Sequence, residues 1–346
     1  MGGGTITLGA ATLVGLSAMV VRLRISRNWI SASKIPTEDL TGKVIVITGA
    51  NTGLGFEAAL DLARRKATVV IGCRDVGKGQ EAVDLIKKKT GNTNVECIEL
   101  DLASLQNVRA FATTIISKYP KIHALVCNAG VLVPMEEKTK TKDGLEIHFG
   151  VNHLAHFELV ERLLAHLASM DDEKSRIVFV SSSLSEQGKL NLETQDFVRD
   201  GRQEEEETEK GDGQKKKSSI IPTGYSDSKL MNAMACKHLD TLLPSHITTY
   251  AVCPGFCRSS LGRHVEFPWY KKMMIGPVFL MIQRTAVQGA QNILFCTLED
   301  KDKLQSGAMY RDGVILTSVM DHMDSFGMDA PKKLWDISEK LSREIK

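Results

Sequence analysis

Lys43-Val-Ile-Val-Ile-Thr-Gly-Ala-Asn-Thr-Gly-Leu-Gly55 is the stretch on which the fold of this chain turns. Lys43 to Thr48 is a short run of β-branched residues, the pattern of a parallel strand buried on both faces. From Leu54 to Arg65 the apolar residues recur at helical spacing. The glycines therefore occupy a strand-to-helix turn. Gly49, Gly53 and Gly55 permit a tight turn and let the backbone approach a phosphate at the helix N-terminus. Their spacing is Gly-x-x-x-Gly-x-Gly rather than Gly-x-Gly-x-x-Gly. Taken alone, it fits an ordinary glycine-rich βα turn as well.

The rest of the chain repeats the alternation. Strands are predicted at Thr68 to Cys73, Val95 to Leu100, Ala124 to Asn128, Arg176 to Ser181 and Thr248 to Val252, with Ser306 to Tyr310 as the last. Helices are predicted between them, at Val76 to Thr90, Leu105 to Tyr119, Leu145 to Ala168 and Tyr225 to Leu243. Alternating strands and helices argue for an α/β fold: one doubly wound parallel sheet, Rossmann-like, covered on both faces. A ligand is then expected beyond the carboxyl ends of the strands. Asn128, Ser182 and the Pro254-Gly255 turn all follow strand ends.

Tyr225 and Lys229 form a Tyr-x-x-x-Lys pair on one helix face. An ammonium beside a phenol stabilises the phenolate, so the phenol pKa is expected to fall toward the operating pH. Such a tyrosine exchanges a proton with a substrate oxygen; a tyrosine that merely packs is the plain alternative. The formal net charge of +2 over 346 residues makes no case for nucleic acid. The seven cysteines occur singly, without a Cys-x-x-Cys or a cysteine–histidine metal spacing, and read as reduced thiols. Cys253 and Cys257, the closest pair in sequence, read as incidental.

Thr48-Gly-x-x-x-Gly-x-Gly55, Asp101-Leu102, Asn128-Ala-Gly130, Asn152, Val180-Ser-Ser182, Tyr225-x-x-x-Lys229 and Pro254-Gly255 occur in this order. As an ordered set they resemble the short-chain dehydrogenases/reductases, over roughly Thr41 to Gly313. Finer stretches resemble the membrane-anchored retinol dehydrogenase and retinal reductase branch: Gly72-Cys-Arg-Asp75, Asp101-Leu-Ala-Ser104, Asp143-Gly-Leu-Glu146, His148-Phe-Gly-Val-Asn-His-Leu-Ala-His-Phe157 and Tyr225-Ser-Asp-Ser-Lys229. The resemblance implies that Tyr225 is the catalytic acid/base and that Lys229 lowers its pKa and holds the nicotinamide ribose. It implies that Ser182 orients the substrate oxygen, with Ser181 and Ser183 close rivals, and that Asn152 belongs to a proton relay. A helix-kink or capping role is the alternative for Asn152. The nucleotide would be held by Gly49, Asn51, Thr52, Gly53, Leu54, Gly55, Arg74, Asp101, Leu102, Asn128, Ala129, Gly130, Tyr225, Lys229, Pro254 and Gly255.

The choice of nucleotide is read at the end of the second strand. An acidic residue there holds both ribose hydroxyls of NAD. Here the place is taken by Cys73, followed by Arg74, which can pair with a 2′-phosphate. NADP (NADPH) is therefore expected over NAD. Asp75, two places on, would restore an acid if the alignment shifted, and Arg74 as a solvated surface charge is the other reading.

Residues 1–29 read as a membrane anchor. Met1 to Val21 carries no charge, Ile6 to Val21 is mostly apolar, and Arg22, Arg24 and Arg27 follow. Positive charge on the C-terminal side leaves the catalytic domain, 41–316, on the cytosolic face. The endoplasmic reticulum is the expected membrane, a mitochondrial membrane the alternative. Ser182 and Tyr225 lie further apart than in short family members, and the excess, 191–219, contains Glu204-Glu-Glu-Glu207 and Lys215-Lys-Lys217. It reads as a solvated, mobile insertion, or as a docking tail for a partner or anionic lipid.

The stretch 258–285 stands where the family places its substrate lid. It contains Phe267-Pro-Trp-Tyr270 and an apolar, Met-rich run, which suits a lipophilic substrate or ordinary core packing. The extension 317–346 is amphipathic, with Trp335 expected to anchor it. The sum is an oxidoreductase interconverting a lipophilic aldehyde or ketone and its alcohol, retinal and retinol leading. A steroid or other lipid ketoreductase and a low-turnover nucleotide-binding protein are the alternatives.

Overall fold

The computed structural model describes residues 29–134, 137, 139–168, 175–199, 222–258 and 283–345. At its centre is β1 (Val44–Thr48), whose Ile45, Val46 and Ile47 are buried on both faces. No solvated face is left for polar side chains, which is why the run is continuous rather than alternating. From β1 the chain winds outward in one direction through α1 (Gly53–Arg64), β2 (Thr68–Cys73), α2 (Val76–Thr90) and β3 (Val95–Glu99). It returns by α3 (Leu105–Lys118) and winds the other way. That half comprises β4 (Ala124–Cys127), α4 (Ala155–Ala168), β5 (Ser175–Val180), α5 (Thr223–Asp240), β6 (Ile247–Val252), α6 (Ala286–Leu298) and β7 (Met309–Arg311).

The strand order is β3-β2-β1-β4-β5-β6-β7, all parallel, with a short β8 (Val314–Ile315) antiparallel on the outer edge. Val46 pairs with Val70 on one side and Leu125 on the other, so winding reverses between β1 and β4. That reversal opens a crevice at the carboxyl ends of these two strands, where ligands of such sheets bind. One apolar layer joins α1, α2 and α6 to the sheet; the other joins α3, α4 and α5 to its opposite face.

Local chemistry sets the element ends. Asp75 caps α2 by accepting from the Lys78 amide at 3.0 Å, and Gly91 ends it in the left-handed conformation. Thr285 and Gln288 form a reciprocal capping box on α6.

Three regions differ from the expectations. The helix expected from Leu145 opens with a π-helical turn, Phe149–Leu154, before α4 begins. The strand expected at Ser306 to Tyr310 is shifted to Met309–Arg311 and is not the last, because β8 pairs with it. The expected solvated insertion does not begin at 191. Phe197 and Val198 are buried, Phe197 packs on Phe149 with ring centroids 5.5 Å apart, and the Glu146 amide donates to the Val198 carbonyl. Residues 200–221 lie outside the described residues.

The C-terminal extension supplies α7 (Thr317–Asp324) and α8 (Ala330–Glu344). Trp335 is buried edge-on against Phe157 (4.7 Å) and His238 (5.4 Å), and burying a large apolar side chain contributes about 1.5–3 kcal/mol. Among the described residues no helix is long and apolar enough to cross a membrane. The anchor expected over residues 1–29 lies outside them except for Trp29, as does most of the lid expected over 258–285, residues 259–282.

Candidate active site

The glycine turn lies at the switch between β1 and β4. Gly49 and Gly53 have φ values of +65° and +63°, which side chains resist. Contact is equally decisive: a Cβ on Gly49 would lie 2.8 Å from that of Ala129, and one on Gly55 2.5 Å from the Asn128 Nδ2. The turn is therefore bare backbone leading into the N-terminus of α1, with Thr52 exposed at its N-cap. This geometry fits a pyrophosphate.

Asn128 and Ala129 hold the turn in place. Asn128 Nδ2 donates to the carbonyls of Thr48 (2.8 Å) and Gly49 (3.3 Å). The amides of Asn128 and Ala129 both donate to Thr48 Oγ1 at 2.9 Å. Thr48 spends its own proton on His156 Nε2 at 2.9 Å, and His156 Nδ1 donates to the Asn152 carbonyl at 3.1 Å. Burial keeps His156 neutral by lowering its pKa to about 4, consistent with this tautomer.

Tyr225 and Lys229 project from α5 toward the carboxyl ends of β4 and β5. Lys229 Nζ donates to the Val180 carbonyl at 2.9 Å and lies 5.6 Å from the Tyr225 ring centroid. It stands so close to Gly130 that a Cβ there would be 3.4 Å from it. Tyr225 is 5 % exposed and Lys229 3 %. Burial lowers the Lys229 pKa to about 8 and pushes the Tyr225 phenol up. Burial thus opposes the lowering expected from the neighbouring ammonium, which lies over the ring.

Of the three candidate serines, Ser181 is set apart by its partners. Ser181 is buried, its Oγ donating to the Lys229 carbonyl at 2.6 Å and pairing with Ser185 at 3.0 Å. Ser183 turns its amide to Cys253 Sγ. Ser182 is half-buried and its Oγ accepts from the Leu184 amide at 3.2 Å, which leaves its proton to give.

Asn152 sits in the π-helical turn, fully buried. Its Oδ1 accepts from the Val131 amide at 2.7 Å, and its Nδ2 donates to the Val131 carbonyl and to Ser228 Oγ, both at 3.0 Å. Both Nδ2 protons and one Oδ1 acceptor site thus go into holding the segment after β4 and the helix that carries Tyr225.

Glu146 and His148 were quoted in the sequence but given no role. His148 Nε2 accepts from the Val133 amide (3.1 Å), which assigns its Nδ1 proton to Glu146 Oε1 (2.6 Å). Glu146 Oε2 also accepts from the Phe149 amide (2.7 Å). The His148 ring stands edge-on to Tyr225, centroids 6.3 Å apart. Only their place in Asp143-Gly-Leu-Glu146 and the following helix could have marked these two.

At the far end of the crevice, β2 ends on Cys73. Arg74 beyond it is exposed and makes no hydrogen bond or ion pair with the other described residues. Asp75 is spent as the α2 cap and pairs with Lys78 at 3.3 Å, so it is not aimed at a ribose. Asp101 is buried, its Oδ1 accepting from the Ala103 amide and its Oδ2 pairing with Lys142 at 2.7 Å; Leu102 joins the core. After β6, Gly255 (φ +80°) packs against Arg284, which is buried and doubly bonded to Asp312 at 2.6 Å. The Pro254 carbonyl accepts from Cys257 Sγ at 3.2 Å, Leu54 packs against the apolar layer of α1, α2 and α6, and Asn51 is half-buried in the glycine turn.

The short chain dehydrogenase family profile matches residues 43–193. Human retinol dehydrogenase 11 is 36 % identical over 310 residues, covering 87 % of this chain and 86 % of that protein. Human retinol dehydrogenase 12 is 38 % identical over 274 residues, 79 % of this chain and 78 % of its own. Among solved structures, an uncharacterised protein from Mycobacterium paratuberculosis superposes with a TM-score of 0.64 at 29 % identity, covering 91 % of this chain and 98 % of its own. A short chain dehydrogenase from Shigella flexneri, complexed with NADP, superposes at 0.59 and 22 % identity over 81 % of this chain and all of its own, a likeness of fold. With relatives of this identity over most of its length, this chain belongs to the short-chain dehydrogenase/reductase family, in its retinol dehydrogenase branch.

Proposed function

We propose that the protein is an NADP-dependent oxidoreductase interconverting a lipophilic aldehyde or ketone and its alcohol, with retinal and retinol the leading pair. The observation that carries this reading is the buried Tyr225–Lys229 pair, set against Val180 and Gly130 at the carboxyl ends of β5 and β4. Bound nicotinamide nucleotide would supply or accept the hydride. The protein's part is to hold a substrate oxygen and move a proton. Tyr225, its phenol kept protonated by burial, is suited to donate to a carbonyl oxygen during reduction. Ser182, with a free hydroxyl proton, orients that oxygen. Lys229, charged at neutral pH with a pKa near 8, steadies the tyrosine and reaches the ribose. Asn152 acts through Val131 and Ser228, holding both walls of the site.

Cofactor preference rests on Arg74. An exposed guanidinium directly after the buried end of β2, unengaged by the other described residues, suits a 2′-phosphate, and the acid that would favour NAD is spent on capping. The names of the most similar relatives, retinol dehydrogenases 11, 12 and 14, support a retinoid. A steroid or other lipid carbonyl is the second reading, favoured by a bovine relative with the less specific name dehydrogenase/reductase SDR family member 13, 33 % identical. Residues 1–21, uncharged and followed by Arg22, Arg24 and Arg27, support a membrane location, the endoplasmic reticulum with the catalytic domain on the cytosolic side. The deciding experiment is turnover of all-trans-retinal and a panel of lipid carbonyls with NADPH and NADH. Turnover of none of them with either nucleotide would sink the enzymatic reading and leave a nucleotide-binding protein.

A further inference from the structure

Cys73 and Cys97 are 24 residues apart in sequence and read there as isolated thiols, yet their sulfurs are 3.4 Å apart. Strand register explains the meeting. Cys97 stands opposite Ile71, and Cys73 opposite Glu99, so the two cysteines are diagonal neighbours on one face of adjacent parallel strands. The helix above them has left room: Gly79 of α2 covers the pair, and a Cβ on it would lie 2.2 Å from the Cys97 sulfur and 2.6 Å from that of Cys73. Cys73 is 5 % exposed, whereas Cys97 is half-open to solvent. Two sulfurs in contact, one reachable from water and both lying under a glycine of α2, are placed for oxidation by a peroxide. Four of the other five cysteines are buried, and no second sulfur pair is in contact among the described residues.

The position of the pair gives its oxidation a consequence. Cys73 is the last residue of β2, and Arg74 and Asp75 follow directly. The Gly72 carbonyl accepts from the Gly49 amide at 2.7 Å, and the Cys73 carbonyl accepts from the Leu100 amide at 3.0 Å. The end of β2 is thus tied both to the glycine turn and to the segment carrying Asp101. A disulfide needs its sulfurs at about 2.05 Å, so the pair must close by about 1.4 Å, and it needs α-carbons nearer than the about 7–8 Å usual for diagonal neighbours, so the strand end must shift as well. Cys73, at the strand end, is the freer of the two to move, and it would take Arg74 and the Gly72–Gly49 bond with it.

We propose that Cys73 and Cys97 form a peroxide-oxidisable dithiol site whose disulfide weakens nucleotide binding. The thiolate of one cysteine attacks an oxygen of hydrogen peroxide, the O–O bond breaks, and a sulfenic acid and hydroxide result. The second sulfur then attacks the sulfenic sulfur. The S–O bond breaks, and the oxygen leaves as water with the second thiol's proton. Each sulfur gives up one electron and the peroxide takes both, so two thiols and one peroxide yield one disulfide and two waters. The hydrogen bond between the sulfurs assists, since one thiol's proton stabilises its neighbour's thiolate; this lowers the Cys73 pKa and raises that of Cys97.

The consequence for binding rests on the proposed nucleotide site; the disulfide itself does not. The test treats the full-length protein in detergent micelles with a small molar excess of hydrogen peroxide. It maps linked peptides by mass spectrometry and measures NADPH affinity by fluorescence before and after, and again after dithiothreitol. The expected result is a Cys73–Cys97 linkage with NADPH affinity about tenfold weaker, the size of one lost charge-assisted contact, and recovery on reduction. Cys97→Ser and Cys97→Ala should bind NADPH like the reduced protein and be indifferent to peroxide. Unlinked cysteines after oxidation, a linkage without loss of affinity, or an equal loss in the Cys97 variants would each overturn the proposal. If the reduced protein bound neither NADPH nor NADH, the nucleotide reading would fall separately, and the mapped linkage would still decide the oxidation site.

Discussion

Replacing Lys229 by Met separates what this residue costs from what it does. The side chain is buried, and desolvation depresses its pKa from an ordinary 10.5 to about 8. At pH 7 it is still charged, so the folded state carries a desolvated ammonium that the unfolded chain does not. At about 1.4 kcal/mol per tenfold in proton affinity, this penalty is about 3 kcal/mol. Met has similar length and no charge, so it removes the penalty. It also removes the hydrogen bond to the Val180 carbonyl, and an acceptor left without a donor costs about 1–3 kcal/mol. Lys229→Met should therefore be between neutral and about 2 kcal/mol more stable than the parent at pH 7.

The pH dependence is sharper than the absolute value. For a group whose folded pKa is depressed, the unfolded state binds more protons between the two pKa values, so stability rises with pH there. The folded form is fully penalised below about 8 and free of the penalty above about 10.5. Between pH 7 and 9.5 the parent should gain about 2 kcal/mol from this residue relative to the variant. Other groups titrate alike in both proteins and drop out of the comparison. Urea unfolding of each protein across this range reads the difference directly. A stability difference that stays flat from pH 7 to 9.5 would refute the assignment of a depressed Lys229 pKa, and with it the balance of burial and charge described for the site.

Tyr225→Phe keeps the ring against His148 but has no proton to give; nucleotide binding should persist while turnover falls by on the order of a hundredfold or more, read by single-turnover and equilibrium assays. Arg74→Ala should weaken NADPH by about 1.5–3 kcal/mol and NADH little, whereas Asp75→Ala should cost about 1 kcal/mol of stability through the lost cap without discriminating between nucleotides. Equal weakening of both nucleotides by Arg74→Ala would remove the main support for NADP. His148→Phe leaves the Val133 amide and Glu146 without their partner and should destabilise by about 1–3 kcal/mol in thermal unfolding. Deleting residues 1–28 should release the protein from membranes. The cut stops before Trp29 because its ring stacks on Arg284 at 4.7 Å, and resistance of the shortened chain to alkaline extraction would place the attachment elsewhere.

The parts legible in the sequence are those that local patterns encode. β1 announces itself because a strand buried on both faces has no use for polar residues, and the glycine turn because its backbone admits no side chain. Tyr225 and Lys229 share a helix face by spacing alone. The engagement of the Ser181 hydroxyl, which sets it apart from Ser182 and Ser183, was not legible in that way. It depends on whether a hydroxyl faces the Lys229 carbonyl, and residue 229 comes near only after β5 and α5 have packed. The same holds for the burial of the phenol, which opposes the effect expected of a neighbour at helical spacing.

The contacts that escaped the sequence altogether are long-range and polar, such as Thr48 with His156 or His148 with Val133, and the register-dependent meeting of Cys73 and Cys97. A chain can be read strand by strand without revealing which residue of β3 stands beside the end of β2. Shifting that register by one residue would send Cys97 to the opposite face of the sheet, away from Cys73 and Gly79. The absence of a side chain at Gly79 therefore has a meaning that only the paired strands supply: it is the counterpart in α2 of two sulfurs beneath it, just as the bare Gly55 is the counterpart of Asn128.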